Sequence, residues 1–269
     1  MTVSPEVCAR VSGAIIGCGV LVSSLGQLSA RRNLAGGGFY DWAVVRTRKG
    51  WTTTGVTARR LDVLFAYPRV LSLTVLQALA AVALVVGYPA GAAAGVLLVL
   101  IGTQALLRLR LQWGTDGADQ VTFIVLAGLF VFYLAPPGAL RSAALVFIGA
   151  ETILCYFAAG LAKLLDPLWR DGAAVPMIVR SREFGLVRLS AVLDRHAPLG
   201  RLVCWSTIAW ETSAPLFVLL GPRTCIAYMA VGAVFHLSVA AVMGLNDFVL
   251  GFVSTYPALF YLSTLVPHP

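Results

Sequence analysis

Lys163, Glu211 and His236 each stand in or at the end of an otherwise apolar run of this chain. An ionisable group at membrane depth persists when it is paired, solvated by a cavity or used in function. Lys163 and Lys49 are the two lysines among 20 basic residues, and the remainder are arginine. The difference is chemical. Arginine does not give up its proton, whereas a lysine in a dry pocket can become neutral and act as a base. The run that ends near Lys163 also holds Glu151 and Tyr156, and the alternative to a base there is a side chain that snorkels from its helix end to the headgroups. Glu211 lies in Trp210-Glu211-Thr212-Ser213-Ala214-Pro215. Pro215 removes the helix bond to the carbonyl four residues earlier, so the carboxylate stands beside a disturbed turn. It suits either catalysis or a structural pairing with an arginine or hydroxyl of a neighbouring helix, and Glu151 and Glu211 are candidates to share a proton with each other or to pair with Lys163. His236, within Phe235-His236-Leu237, is either a satisfied core donor or a group that contacts substrate and moves a proton. Asp119, in Gly117-Ala118-Asp119-Gln120, either complements a helix start behind an Asp116 cap or stands at the mouth of an intramembrane cavity.

The elements that must position these groups are membrane helices. The 269 residues are 59% hydrophobic and 12% charged, with a mean hydropathy of +0.85. A soluble domain carries about 25% charged residues. The apolar residues gather in blocks of roughly the length that crosses a hydrocarbon core of about 30 Å. These blocks run over 11–30, 68–86, 90–109, 121–135, 140–164, 202–220, 223–243 and 248–265. The predicted fold is therefore an all-α polytopic membrane protein of about eight transmembrane helices with short interfacial helices. It reads as a single transmembrane domain over residues 1–269.

Gly13, Gly17, Gly19 and Gly26 interrupt the first block, which suits a retained helix packed closely on its neighbours, with a signal segment as the alternative. Short links, around Gly87-Tyr88-Pro89 and Pro136-Pro137-Gly138, force antiparallel hairpins. Two connections are long: a basic one over 31–67 and an amphipathic one over 165–201. Residues 61–67 and 185–193 within them suit helices lying in the interface. With eight crossings both connections fall on one side, which the positive-inside rule makes cytoplasmic, with both termini outside.

A net charge of +8 confined to short connections reads as membrane anchoring, not nucleic-acid binding. Cys8, Cys18, Cys155, Cys204 and Cys225 lack metal spacing and read as small core residues. There is no phosphate-binding glycine loop, CxxC or HExxH, which argues against a nucleotide-driven pump. Three histidines exclude a haem or di-iron site built from several of them, and no metal is expected. No inverted repeat points to a transporter.

The run from Tyr156 to Gly172, with Ala159-Gly160, Lys163-Leu164 and Trp169 between, resembles the Tyr-x-x-Ala-Gly-x-x-Lys-Leu-x-x-x-x-Trp-x-x-Gly signature of the vitamin K-dependent gamma-carboxylase family and its bacterial relatives, the horizontally transferred transmembrane proteins. Gly117-Ala118-Asp119-Gln120, Glu211-Thr212-Ser213-Ala214-Pro215 and Phe235-His236 resemble further elements of that family. The resemblance spans nearly the whole chain. It implies Lys163 as the base that starts oxygenation of a reduced quinone, of menaquinone or vitamin K type. It implies His236 as a supporting histidine, and an enzyme built this way would use Glu211 and His236 in proton transfer or orientation. Asp119, Tyr156 and Trp169 are then the expected cofactor-binding residues. The family's reaction faces the lumen, whereas the arginine count places the Lys163 end inside.

Two functions follow as expectations. One is a membrane-embedded, quinol-linked oxidoreductase or carboxylase-like lyase acting on a peptide or small substrate. The other is a non-enzymatic membrane partner for maturation, export or immunity of a secreted peptide. Membrane lipids are partners in both, with a secreted peptide or companion protein beside them.

Overall fold

The computed structural model describes residues 3–48, 53–88, 91–111, 117–182 and 184–267. Asp116 with the rest of 112–116, Lys49, Pro89, Glu183 and His268 lie outside the described residues. The regular elements among the described residues are all helices: α1 (Pro5–Ser29), α2 (Trp42–Val45), α3 (Gly55–Phe65), α4 (Val70–Val86), α5 (Ala93–Leu111), α6 (Gly117–Leu134), α7 (Ala139–Leu165), α8 (Pro167–Arg170), α9 (Ala174–Arg180), α10 (Val187–Arg195), α11 (Ala197–Thr212), α12 (Ala214–Leu219), α13 (Pro222–Met243), α14 (Asn246–Val253) and α15 (Tyr256–Leu265), with 3-10 turns at Arg31–Leu34 and Arg46–Arg48.

The protein is a multi-pass, all-helical membrane protein. Six stretches among the described residues are long and apolar enough to cross a membrane: α1, α5, α6, α7, α13 and the α14–α15 pair. Counting α3 and α4, bent by 66°, as one span makes seven. All eight apolar blocks are helical, yet the block at 202–220 is divided at Ser213, between α11 and α12. The physical reason is Pro215, which enters the first turn of α12 and cannot continue the ladder of α11. Because an odd number of crossings reverses the side of one terminus, two external termini do not follow from this architecture. The five cysteines are free thiols.

The contacts divide the chain into two compact units, one of residues 13–136 and one of residues 1–12 with 137–269. In the first, α4 packs on α5 and α5 on α6. Thr74, Gln77, Ala81 and Leu84 form the buried stripe of α4, and Leu97, Leu100, Thr103, Leu107 and Arg110 that of α5, at the three- and four-residue spacing of one helix face. Gln77 Nε2 donates to Gln104 Oε1 at 2.6 Å between them. Gly17 brings α1 against α4, since a Cβ there would meet Val85 Cγ2 at 2.9 Å.

Arg110 organises the basic connection. It is fully buried, and its guanidinium donates to the carbonyls of Phe65 at 3.1 Å, Tyr40 at 2.9 Å and Leu34 at 3.5 Å. These carbonyls end α3 and the turn after α1, where helix geometry leaves acceptors without partners. Trp42 stands edge-on to Phe65 at 4.9 Å and donates from Nε1 to Asp62 at 2.7 Å, so the connection is a folded layer.

In the second unit α7 packs between α11 and α15, and α13 meets α12, α14 and α15. Asp166 caps α8 by accepting from Leu168 N at 2.9 Å, with Pro167 at the first helical position. Gly172, at φ +82°, lies where a Cβ would be 2.6 Å from Arg201 Cα. Trp205 Nε1 donates to Arg170 O at 3.1 Å, and Arg180 pairs with Asp194, so α8 to α10 fold back against α11. The amphipathic segment expected at 185–193 corresponds to α10.

Arg110→Met removes a donor shared by three carbonyls and is expected to cost about 3 kcal/mol or more of stability, because those acceptors lose their bonds. Thermal unfolding followed by tryptophan fluorescence measures it. Arg110→Lys is expected to fall between, because one ammonium cannot span the same fork.

Candidate functional site

The face of α7 that turns into the second unit reads Thr152, Tyr156, Gly160 and Lys163, the first three buried. The facing stripe of α11 is Cys204, Thr207, Ile208 and Glu211. Gly160 sets the distance between the two helices. A Cβ on it would lie 2.7 Å from Thr212 N and 2.8 Å from Glu211 Cβ, closer than real side chains approach. One turn further on, Lys163 Nζ donates to Glu211 Oε2 at 2.7 Å and Oε1 at 2.9 Å. The Glu211 side chain is 5% exposed and that of Lys163 21%, so the lysine turns inward to a carboxylate. Of the two acids, it is Glu211 that takes the ammonium. The Lys163 ammonium also lies 5.2 Å from the centre of the Trp169 ring, within cation–π range.

His236 sits deep in α13, hydrogen-bonded to neither of these groups. Its Nε2 and Tyr156 Oη are 2.8 Å apart, and Tyr156 Oη is 3.2 Å from Tyr256 Oη. The His236 ring stacks on Phe252 at 4.4 Å. Gly232, one turn before His236, makes room for the Tyr256 hydroxyl and the Trp210 ring, both of which a Cβ would strike. Trp210 stacks on Tyr228 at 5.3 Å and stands edge-on to Tyr156 at 4.9 Å. Tyr156 therefore centres a hydrogen-bonded, aromatic-walled network. It lies seven residues before Lys163, about 10 Å along α7, while Trp210 and Glu211 are neighbours on α11. α7 thus carries a member of each polar group, with Glu211 of α11 in one and His236 of α13 and Tyr256 of α15 in the other.

Trp169 also lines an apolar cavity of about 290 Å³, with Ile178, Val203, Phe235, Val239 and Met243. The hydroxyls on its wall, Thr207 and Ser238, are spent on carbonyls of their own helices, so the wall offers an occupant little besides hydrocarbon and aromatic surface. Phe235 touches both Trp210 and His236, and the cavity thus borders the lysine through one residue and the histidine through another. Among the described residues no group of three His, Cys, Asp or Glu side chains could hold a metal ion.

Of the expected site residues, Lys163, Glu211 and Trp169 meet, and Tyr156 and His236 meet. Asp119 belongs to the other unit. It lies in the first turn of α6 and pairs with Arg108 of α5 at 2.9 Å. Tyr256, Tyr228, Trp210 and Phe252 complete the histidine network but were not singled out by sequence. Aromatic residues in an apolar chain carry no spacing signal of their own, although Gly232, one turn from His236, marks the close approach.

The molecule is thus a multi-pass membrane protein with an intramembrane lysine–glutamate pair and a tyrosine–histidine network. Comparison with protein families, with curated proteins and with solved structures finds no match.

Tyr156→Phe removes the hydroxyl that His236 and Tyr256 share and is expected to destabilise the protein by about 1–3 kcal/mol, since a buried ring nitrogen is left unpaired. Gly160→Ala is expected to cost a similar amount, about 1–3 kcal/mol by overpacking. Thermal melts of both variants in detergent against wild type give the values.

Proposed function

We propose that the protein is a membrane-embedded enzyme of the gamma-carboxylase-like kind, in which Lys163 and Glu211 act together as the base toward a reduced quinone. The observation that carries this reading is the ion pair itself, formed between the lysine of the Ala-Gly-x-x-Lys run and the glutamate of the Glu-x-x-x-Pro run. The resemblance puts the base at the first of these runs, and the second holds the acid expected to serve in proton transfer or orientation.

The quinone reading has a physical fit in the cavity bounded by Trp169. Its volume of about 290 Å³ is just below the roughly 300–1,000 Å³ of small-molecule pockets, and its hydrocarbon wall suits a flat, apolar ring. Trp169, Val203 and Phe235 would hold such a ring. A bound reduced quinone would supply the electrons for the oxygenation that the resemblance implies.

The chain's own residues supply proton handling. One proton is shared between Lys163 Nζ and the Glu211 carboxylate, so the pair is neutral as a unit. Taking a second proton at Glu211 Oε2 leaves Lys163 charged beside a neutral acid. The positive charge gained balances the negative charge left on the proton donor. In a medium of low dielectric this matters, because the separation of charge is confined to neighbouring groups. Trp169 stabilises the ammonium through its ring face. Tyr156 and His236 exchange a hydrogen bond whose direction depends on the ring tautomer, which suits them to orient a substrate or pass a proton.

The test is reconstitution of purified protein in lipid nanodiscs with reduced menaquinone or vitamin K, following epoxide formation by chromatography. Lys163→Ala and Glu211→Gln are compared with wild type, with circular dichroism as the folding control. Loss of a general base is expected to slow turnover by about 10²–10⁴-fold. Absence of turnover in the wild type, or turnover indifferent to both substitutions, overturns the reading and favours the non-enzymatic partner of a secreted peptide.

A further inference from the structure

The connection between α1 and α4 carries more positive charge than its own acids compensate. Residues 31–67 hold seven basic and two acidic side chains. Both acids are committed. Asp41 accepts from the backbone N–H groups of Gly37 at 2.8 Å and Ala43 at 3.0 Å, which holds its carboxyl below the usual carboxylate range. Asp62 accepts from Trp42 and pairs with Arg46 at 2.9 Å. Arg31, Arg32, Arg59 and Arg60 are exposed, and none of them pairs with an acid among the described residues.

The end of α1 and the turn after it border a cavity of about 180 Å³ lined by Gln27, Ala30, Asn33, Leu34, Tyr40 and Leu111, and the exposed Arg31 and Arg32 lie in the chain between its lining residues Ala30 and Asn33. Three of these side chains can hydrogen-bond. Two of the wall residues, Leu34 and Tyr40, are fixed by Arg110 through their carbonyls, so the cavity belongs to a braced layer. The same connection exposes Phe39 and Val44 at 75% and 63%. Exposed apolar side chains among arginines, immediately after the end of a membrane helix, make a surface suited to the boundary between headgroups and acyl chains.

We propose that this cavity with Arg31 and Arg32 is a binding site for the headgroup of an anionic phospholipid. The two guanidinium groups take the phosphate, whose oxygens accept charge-assisted bonds. Gln27, Asn33 and Tyr40 take the polar part of the headgroup, and Phe39 and Val44 meet the acyl chains. Arg59 and Arg60 add to the field of the layer. The site is independent of the proton chemistry of Lys163, and it commits to a lipid because a soluble anion has nothing to place against the exposed apolar side chains.

The test uses the full chain in nanodiscs of phosphatidylcholine mixed with phosphatidylglycerol, with native mass spectrometry of the lipids retained after extraction. The wild type is expected to retain phosphatidylglycerol preferentially. The Arg31→Gln, Arg32→Gln double variant is expected to lose roughly thirtyfold of that preference, the value for two surface arginines facing anionic lipid. Asn33→Leu leaves every arginine in place and is expected to weaken it as well. Unchanged thermal melts of both variants are the folding control, since these side chains make no hydrogen bond among the described residues. Equal retention of the two lipids by wild type, or a preference that survives both variants, overturns the proposal. So does displacement of the lipid by free glycerol phosphate at equal concentration, which would make the site one for soluble anions.

Discussion

The approach of α7 to α11 at Gly160 is the contact on which the polar interior of the second unit depends. A glycine lets two backbones come close enough for the side chains one turn away to reach across. Lys163 Nζ and the Glu211 carboxylate then meet at 2.7 and 2.9 Å, on helices whose other contacts are largely apolar. Within a bilayer there is no hydrophobic force between helices to create such closeness. Small residues at the contact and polar bonds across it must do so together. Gly232 plays the same part for α13, giving Tyr256 and Trp210 room beside the helix turn that carries His236.

Arg110 solves a different problem in the first unit. A connection that leaves a membrane helix, turns and enters another exposes carbonyls that no helix bond can satisfy. One guanidinium, reaching from the last turn of α5, serves three of them. Arginine suits this because its donors form a fixed planar fork that never loses its charge. The layer it braces includes Trp42, Val45 and Phe65 as a small buried cluster, so the basic connection is built around an apolar centre of its own.

The class of fold was legible because hydropathy over long blocks reports the solvent a helix needs. All eight apolar blocks became helices, and Pro215 already marked where one of them would break. The importance of Lys163 and Glu211 was legible for a related reason, namely that charge in an apolar run is costly and must be explained. Their meeting was not. Spacing along one helix says which residues share a face, but the partner of that face is set by packing between helices distant in sequence. Gly160 and Gly172 carried that information, and each holds a close approach that a larger residue would block. Arg110 was visible only as a basic residue at a helix end, because its partners are main-chain carbonyls with no side-chain signature. The aromatic walls around Tyr156 were hidden in the same way, since an apolar chain is full of such residues.

The two polar groups of the second unit also divide along a physical line. The charged pair stands in the last turn of α7, where the lysine side chain keeps 21% of its surface exposed. The tyrosine–histidine network is more fully buried, with His236 in the interior of α13 at 2% exposure and Tyr156 at 3%. Full charge is tolerable where water or headgroups remain within reach, whereas deeper in the hydrocarbon hydrogen bonds between neutral groups cost far less. α7 joins the two positions at a separation of about two turns.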